Sequence, residues 1–163
     1  MKLCYLRGLI ATILILLLSH CSQRKPIDLN DQVREPSEHS DSVIQVAPMV
    51  PEAVQLLVEE AEKLLGKDQV SDAILTLKRA LSIGPGSALV QQHLAEVYLS
   101  NGQYQQAYTW SSLVVEQGPS HGPLCERARR TLALAAEMVN DVQTQAKALE
   151  SIDSCKQMPA ARY

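Results

Sequence analysis

No hydrophobic run in this chain is long enough to cross a bilayer. The most apolar stretch, residues 8–18 (GLIATILILLL), holds 11 residues, whereas a spanning helix needs about 20. An excess of positive charge is missing too: 15 Lys and Arg stand against 18 Asp and Glu, a formal charge of −3, which is not the basic surface that nucleic acid requires. Nor is there a glycine-rich phosphate loop or a His/Cys/Asp/Glu cluster at metal-ligand spacing, so no cofactor and no metal are expected. His39, His93 and His121 fall in a polar stretch, a helix and a loop, too far apart to share a site. His121 stands four residues before Cys125, but a loop histidine beside a helix start reads as solvated rather than as half of a nucleophile pair. The chain is therefore expected not to be an enzyme.

What is present begins with Lys2 and Arg7 ahead of the short apolar run, followed by Leu18-Ser19-His20-Cys21. This order resembles a bacterial lipoprotein leader. The resemblance implies that residues 1–20 are removed and that Cys21 is lipidated, although His20 stands where the family places Gly, Ala or Ser. An uncleaved anchor and ordinary secretion are the alternatives. Ser22 in place of Asp implies, by the same resemblance, sorting to the outer membrane facing the periplasm. Without Lys2 and Arg7 the balance is 13 basic against 18 acidic residues, a formal charge of −5. Residues 21–50 mix charges, Ser and Pro without an apolar stripe and read as a flexible tether. Such a segment of about 30 residues spans roughly 30 Å as a coil and about 100 Å at full stretch. A structured extension over residues 43–50 is the other reading of its end.

From residue 51 the pattern becomes helical. Leu56, Leu57, Leu64 and Leu65, with Val58 and Ala61 between them, recur at offsets of three, four and seven, the period of an amphipathic helix. Residues 66–68 break it, and Ala73, Leu77, Ala80 and Leu81 resume it as far as Gly84-Pro85-Gly86. The same arrangement then returns 34 residues later: Ala61 and Ala95, Leu64 and Tyr98, Val70 and Tyr104, Ala73 and Ala107, Pro85 and Pro119. Small residues let two antiparallel helices approach, larger ones fill the space between hairpins, and the proline turns the chain into the next unit.

These positions resemble the tetratricopeptide repeat, which implies an all-α solenoid of short helical hairpins. The expected domain covers residues 51–156, with units at about 54–87, 88–121 and 122–156. The tail 157–163 is expected to fray. The third unit departs from the period: residues 123–138 read as one long helix, Asn140-Asp141 as a turn, and residues 142–154 as a second helix. Cys125 and Cys155 fall at the open end of that hairpin, as a disulfide in an oxidising compartment or as two buried thiols. Tyr98, Tyr104 and Trp110 are assigned to packing.

The resemblance also implies a concave groove lined by the first helix of each hairpin. Gln55, Val58, Glu62 and Leu65 would line it in unit one, Leu89, Gln92, His93, Glu96 and Leu99 in unit two, and Glu126, Arg127 and Arg130 in unit three. Glu62 and Glu96 are equivalent positions, where the chaperone-binding branch of the family carries Lys and Asn. A basic or mixed partner segment is therefore expected rather than an acidic peptide terminus. Arg127, Arg129 and Arg130 form a dense basic cluster, either a solvated helix face or a contact to a partner or glycan. Taken whole, the arrangement resembles bacterial lipoprotein activators of peptidoglycan synthases. That implies an inner-membrane penicillin-binding protein as partner, no nucleic acid, and a membrane link through the lipid alone. A pilotin-like assembly factor for a secretin or type IV pilus and a chaperone-like adaptor are the alternatives.

Overall fold

The computed structural model describes residues 27–38 and 49–156. The expected leader, Cys21, residues 22–26 and 39–48 of the expected tether and the tail 157–163 lie outside the described residues. A π-helical turn, Asn30–Arg34, leads into the short helix α1 (Glu35–Glu38). It is followed by α2 (Glu52–Leu65), α3 (Val70–Ile83), α4 (Ala88–Ser100), α5 (Tyr104–Gln117), α6 (Pro123–Met138), α7 (Val142–Glu150) and a 3-10 turn, Ile152–Cys155. The described residues contain no strand, and the helices pack in consecutive pairs, α2 with α3, α4 with α5 and α6 with α7. Each pair packs on the next, α3 against α4 and α5 against α6, so the described residues form a short all-α solenoid of three hairpins. No described helix is long and apolar enough to cross a membrane.

The three hairpin turns have one construction. Asp68, Gly102 and Asn140 each adopt positive φ, at 61°, 73° and 63°, the left-handed conformation that ends a helix in a Schellman motif. The residue after each donates its N–H five residues back, Gln69 to the Leu64 carbonyl, Gln103 to that of Tyr98 and Asp141 to that of Ala136. Between Asp68 and Gly102 the step is 34 residues, and between Gly102 and Asn140 it is 38. Four extra residues are about one helical turn, which is why α6 outgrows the repeat. Two N-termini carry side-chain caps: Ser87 accepts from the Val90 N–H, and Asp141 from that of Thr144. The Tyr108 hydroxyl also reaches Asp141 at 2.9 Å, tying α5 to the start of α7.

Ala61, Ala73, Ala95 and Ala107 are all buried, as are Val54, Leu77, Val90 and Leu94. Close helix approach through small residues thus stands as the sequence indicated. Leu56 does not belong to this core; it is 58 % exposed, and Val54 supplies the buried contact in its place. At the far end Cys125 and Cys155 form a disulfide with Cα atoms 5.7 Å apart. The Arg129 guanidinium lies against it, donating to both sulfurs and, at 2.9 Å, to Ser151 Oγ.

The expectation of a flexible tether does not hold for residues 27–38. Asp28 Oδ1 accepts the N–H groups of Asn30 and Asp31 and starts the first turn. The π pattern closes with the Glu35 N–H on the Asn30 carbonyl, and Pro36, next in line, has no N–H to continue it. Ile27 and Leu29 pack on the solenoid core, Val33 and Ser37 are fully buried, and the segment lies against α6. Ser37 Oγ satisfies itself on the Val33 carbonyl at 2.7 Å. A narrow apolar stripe, too short to stand out among the charges and prolines, is enough once a groove receives it.

Candidate functional site

The 34-residue repeat sets Glu62 on α2 and Glu96 on α4 in equivalent places, and Arg34 of the N-terminal segment bridges the two. Its Nε and Nη2 lie 2.9 and 2.8 Å from Glu96 Oε2. Its Nη2 and Nη1 lie 2.9 and 3.3 Å from the two oxygens of Glu62. From α6, Arg127 grips Glu96 on the other side, with Nη2 at 2.7 and 2.8 Å from the two carboxylate oxygens. Gln92 donates to Glu96 at 2.8 Å and lies 2.8 Å from Thr131 Oγ1. Glu62 also receives His93 Nδ1 at 2.9 Å. Side chains of three hairpins and the N-terminal segment thus meet around one fully buried carboxylate, Glu96.

Burial pushes the Glu96 carboxyl upward, but the guanidiniums of Arg127 and Arg34 outweigh it and hold the group below the usual carboxylate range. At Glu62 the hydrogen bond from His93, opposed by burial and helped by Arg34, lowers the value from 4.5 to about 2. Burial depresses the Arg34 guanidinium, yet its two carboxylates raise it on balance. Because the carboxylates are depressed, the stability they contribute is complete above about 4.5 and is lost as pH falls toward 2. Arg34 supplies only part of this lowering at Glu62, and that part is the share linked to docking. The segment is therefore expected to remain docked from pH 7 to 5 and to release in acid below about pH 4. Following the Val33 methyl resonances by NMR checks this; release with a midpoint above pH 5 contradicts it.

A second acid–base pair lies nearby on α6. Glu126 is fully buried and neither carboxylate oxygen has a hydrogen-bond partner, while Arg130 Nη2 approaches to 3.9 Å. The expected basic cluster is thus neither a solvated face nor a free patch. Arg127 serves Glu96, Arg129 covers the disulfide, and Arg130 stands beside Glu126.

Of the residues expected to line the groove, Glu62, Gln92, His93, Glu96 and Arg127 come together. Leu65 lines an open hollow of about 570 Å³ that continues the groove beside Ile27 and Leu29. Val58 and Leu99 instead belong to the hydrophobic core, where apolar atoms leave water by packing against neighbouring helices. Gln55 is exposed and Leu89 half-buried, and neither takes part in the charge cluster. Arg34, Val33 and Ser37, which occupy the groove, were assigned to the tether by their surroundings in the sequence. The signal that could have found them is the spacing of Leu29 and Val33, four residues apart with an arginine beside the second.

The fold and groove define a helical-repeat scaffold for protein–protein interaction. Residues 64–132 match the family described as tetratricopeptide repeat, and that stretch runs from the end of α2 through α3, α4 and α5 into α6. No curated protein matches the chain.

Proposed function

We propose that this chain is a non-enzymatic periplasmic lipoprotein whose repeat groove binds a helical segment of a partner protein. The partner is a bifunctional peptidoglycan synthase of the inner membrane. The observation that carries the binding role is the Glu62–Glu96 carboxylate pair, held ready in the groove and engaging an arginine on a helical segment. The leader-like residues 1–20, Cys21 and the module that follows support the anchored arrangement and the choice of synthase, through their resemblance to lipoprotein activators. Binding would favour the active state of the synthase, because a ligand shifts a conformational equilibrium by its differential affinity for the two states.

Purified full chain added to the synthase is the test. The expected result is a higher rate of glycan polymerisation together with crosslinking of the synthase to the chain in intact envelopes. Recovery of secretin subunits without any synthase, and an unchanged polymerisation rate, would overturn the reading in favour of an assembly factor.

A further inference from the structure

We infer that residues 27–38 are an internal stand-in for the partner's helix, so that the groove reads an arginine-bearing helix and is held closed by its own chain until one displaces it. The inference rests on the binding role proposed above for this groove, but not on the identity of the partner.

Three observations converge. First, the groove-lining helices bring Glu62, Glu96 and Glu126 against only two guanidiniums, Arg127 and Arg130. Glu62 also takes His93 Nδ1 at 2.9 Å, and Arg34 brings a further guanidinium to Glu62 and Glu96 from outside the repeats. Second, Arg34 is read as a guanidinium and not merely as a positive charge. It engages both carboxylates through Nε, Nη1 and Nη2 together, a planar fork that a lysine ammonium cannot reproduce. Third, the segment docks by a short recognition pattern: Val33 buried, Arg34 on the carboxylates, and Ser37 buried one turn on. A partner helix with a small apolar residue, then arginine, then a small hydroxyl residue three positions later fits the same surface.

A longer helix has more to gain than the internal segment does. The hollow beside Ile27, Leu29 and Leu65 remains open with the segment in place, so an occupant extending into it buries area that the segment leaves uncovered. When Arg34 leaves, no groove carboxylate is stranded, because Glu96 keeps Arg127 and Glu62 keeps His93. The groove is therefore built to survive the exchange. Should Cys21 carry the lipid of the proposed function, docking also sets the reach. Only residues 21–26 then separate the anchor from the docked segment, about 20 Å at most, against about 100 Å for residues 21–50 once it is released.

The experiment uses the full chain from residue 21 and a fluorescent peptide of residues 27–38 as probe, read by anisotropy. Wild-type chain is expected to bind the probe weakly, because the tethered copy competes at a high effective concentration. Arg34→Ala in the chain is expected to tighten probe binding by about tenfold or more. A probe carrying Arg34→Ala should fail to bind that variant, and Glu62→Gln added to the variant should weaken the normal probe again. Circular dichroism confirms that each chain is folded, and Arg34→Lys, which keeps the charge without the fork, is expected to fall between wild type and alanine. Equal probe affinity for wild type and Arg34→Ala, or no binding to either, overturns the inference. So does a wild-type chain that dimerises by exchanging residues 27–38 between copies. Probe binding to the Arg34→Ala chain with no synthase captured by either chain leaves this inference standing and removes the synthase. Capture of the synthase equally by both chains without probe binding does the reverse.

Discussion

Replacing Glu96 by alanine is expected to lower the unfolding free energy by about 3–5 kcal/mol, the cost of stranding a buried charge by removing its partner. The total for a domain of this size is about 5–15 kcal/mol, so the variant would lose a large fraction of its stability. Glu96 is fully buried, and two guanidiniums and one amide converge on its carboxylate. Without it, Arg127 on α6 keeps a positive charge only 16 % exposed and with no counter-ion. Arg34 can escape by undocking the N-terminal segment, but Arg127 is fixed on a helix and cannot. The loss should therefore appear both as a lower urea midpoint and as faster amide exchange over residues 30–38. A double variant, Glu96→Met with Arg127→Leu, is expected to recover most of the loss. A buried ion pair exchanged for apolar residues of similar volume is often close to neutral. If Glu96→Ala alone loses less than about 1 kcal/mol at unchanged denaturant slope, the cluster does not hold the three hairpins together.

Most of the scaffold was readable in advance because it depends on local rules. The alanines at a 34-residue interval, the turn at Asn140 and the run from Pro123 to Met138 each follow from helix geometry, and the structure places helices and turns there. The long α6 was visible as an overrun of the repeat, and its cause, a hairpin turn displaced by four residues, only in three dimensions.

The groove was half legible. Glu62 and Glu96 could be placed side by side from the repeat alone, and their negative sign predicted a basic occupant. That the occupant is Arg34 of the same chain could not be read, because a contact across 62 residues leaves no local signal. Residues 27–38 carry few apolar side chains, and the segment lies against α6. Arg127, Arg129 and Arg130 misled for a related reason. Close in sequence, they looked like one patch, yet at about 100° per residue Arg129 points well away from the other two and covers the disulfide, while Arg127 and Arg130, on neighbouring faces, reach Glu96 and Glu126.

Removing the disulfide by Cys125→Ala with Cys155→Ala is expected to cost about 3.5 kcal/mol, the loop-closure value for a sequence separation of 30. The loss should fall on the last hairpin before the others, because α7 has little else to hold it. Its nine residues bury only Ala148, while Val142 and Leu149 are 72 % and 52 % exposed. Beyond it, Ile152 and Cys155 supply the buried contacts of the 3-10 turn. The bridge also fixes the end of that turn near the start of α6, where the Gly122 N–H donates to the Cys155 carbonyl at 2.9 Å. Arg129 would lose both sulfur acceptors and keep Ser151. Amides of residues 142–155 are therefore expected to exchange faster in the double variant, while those of α4 and α5 retain their protection until global unfolding. Because α6 carries Arg127, a loosened α6–α7 hairpin should also weaken docking of residues 27–38, visible as exchange rising there in parallel. Unchanged protection over residues 142–155, with an unchanged urea midpoint, would show that Ala148, Ile152 and the Tyr108–Asp141 contact are sufficient without the covalent link.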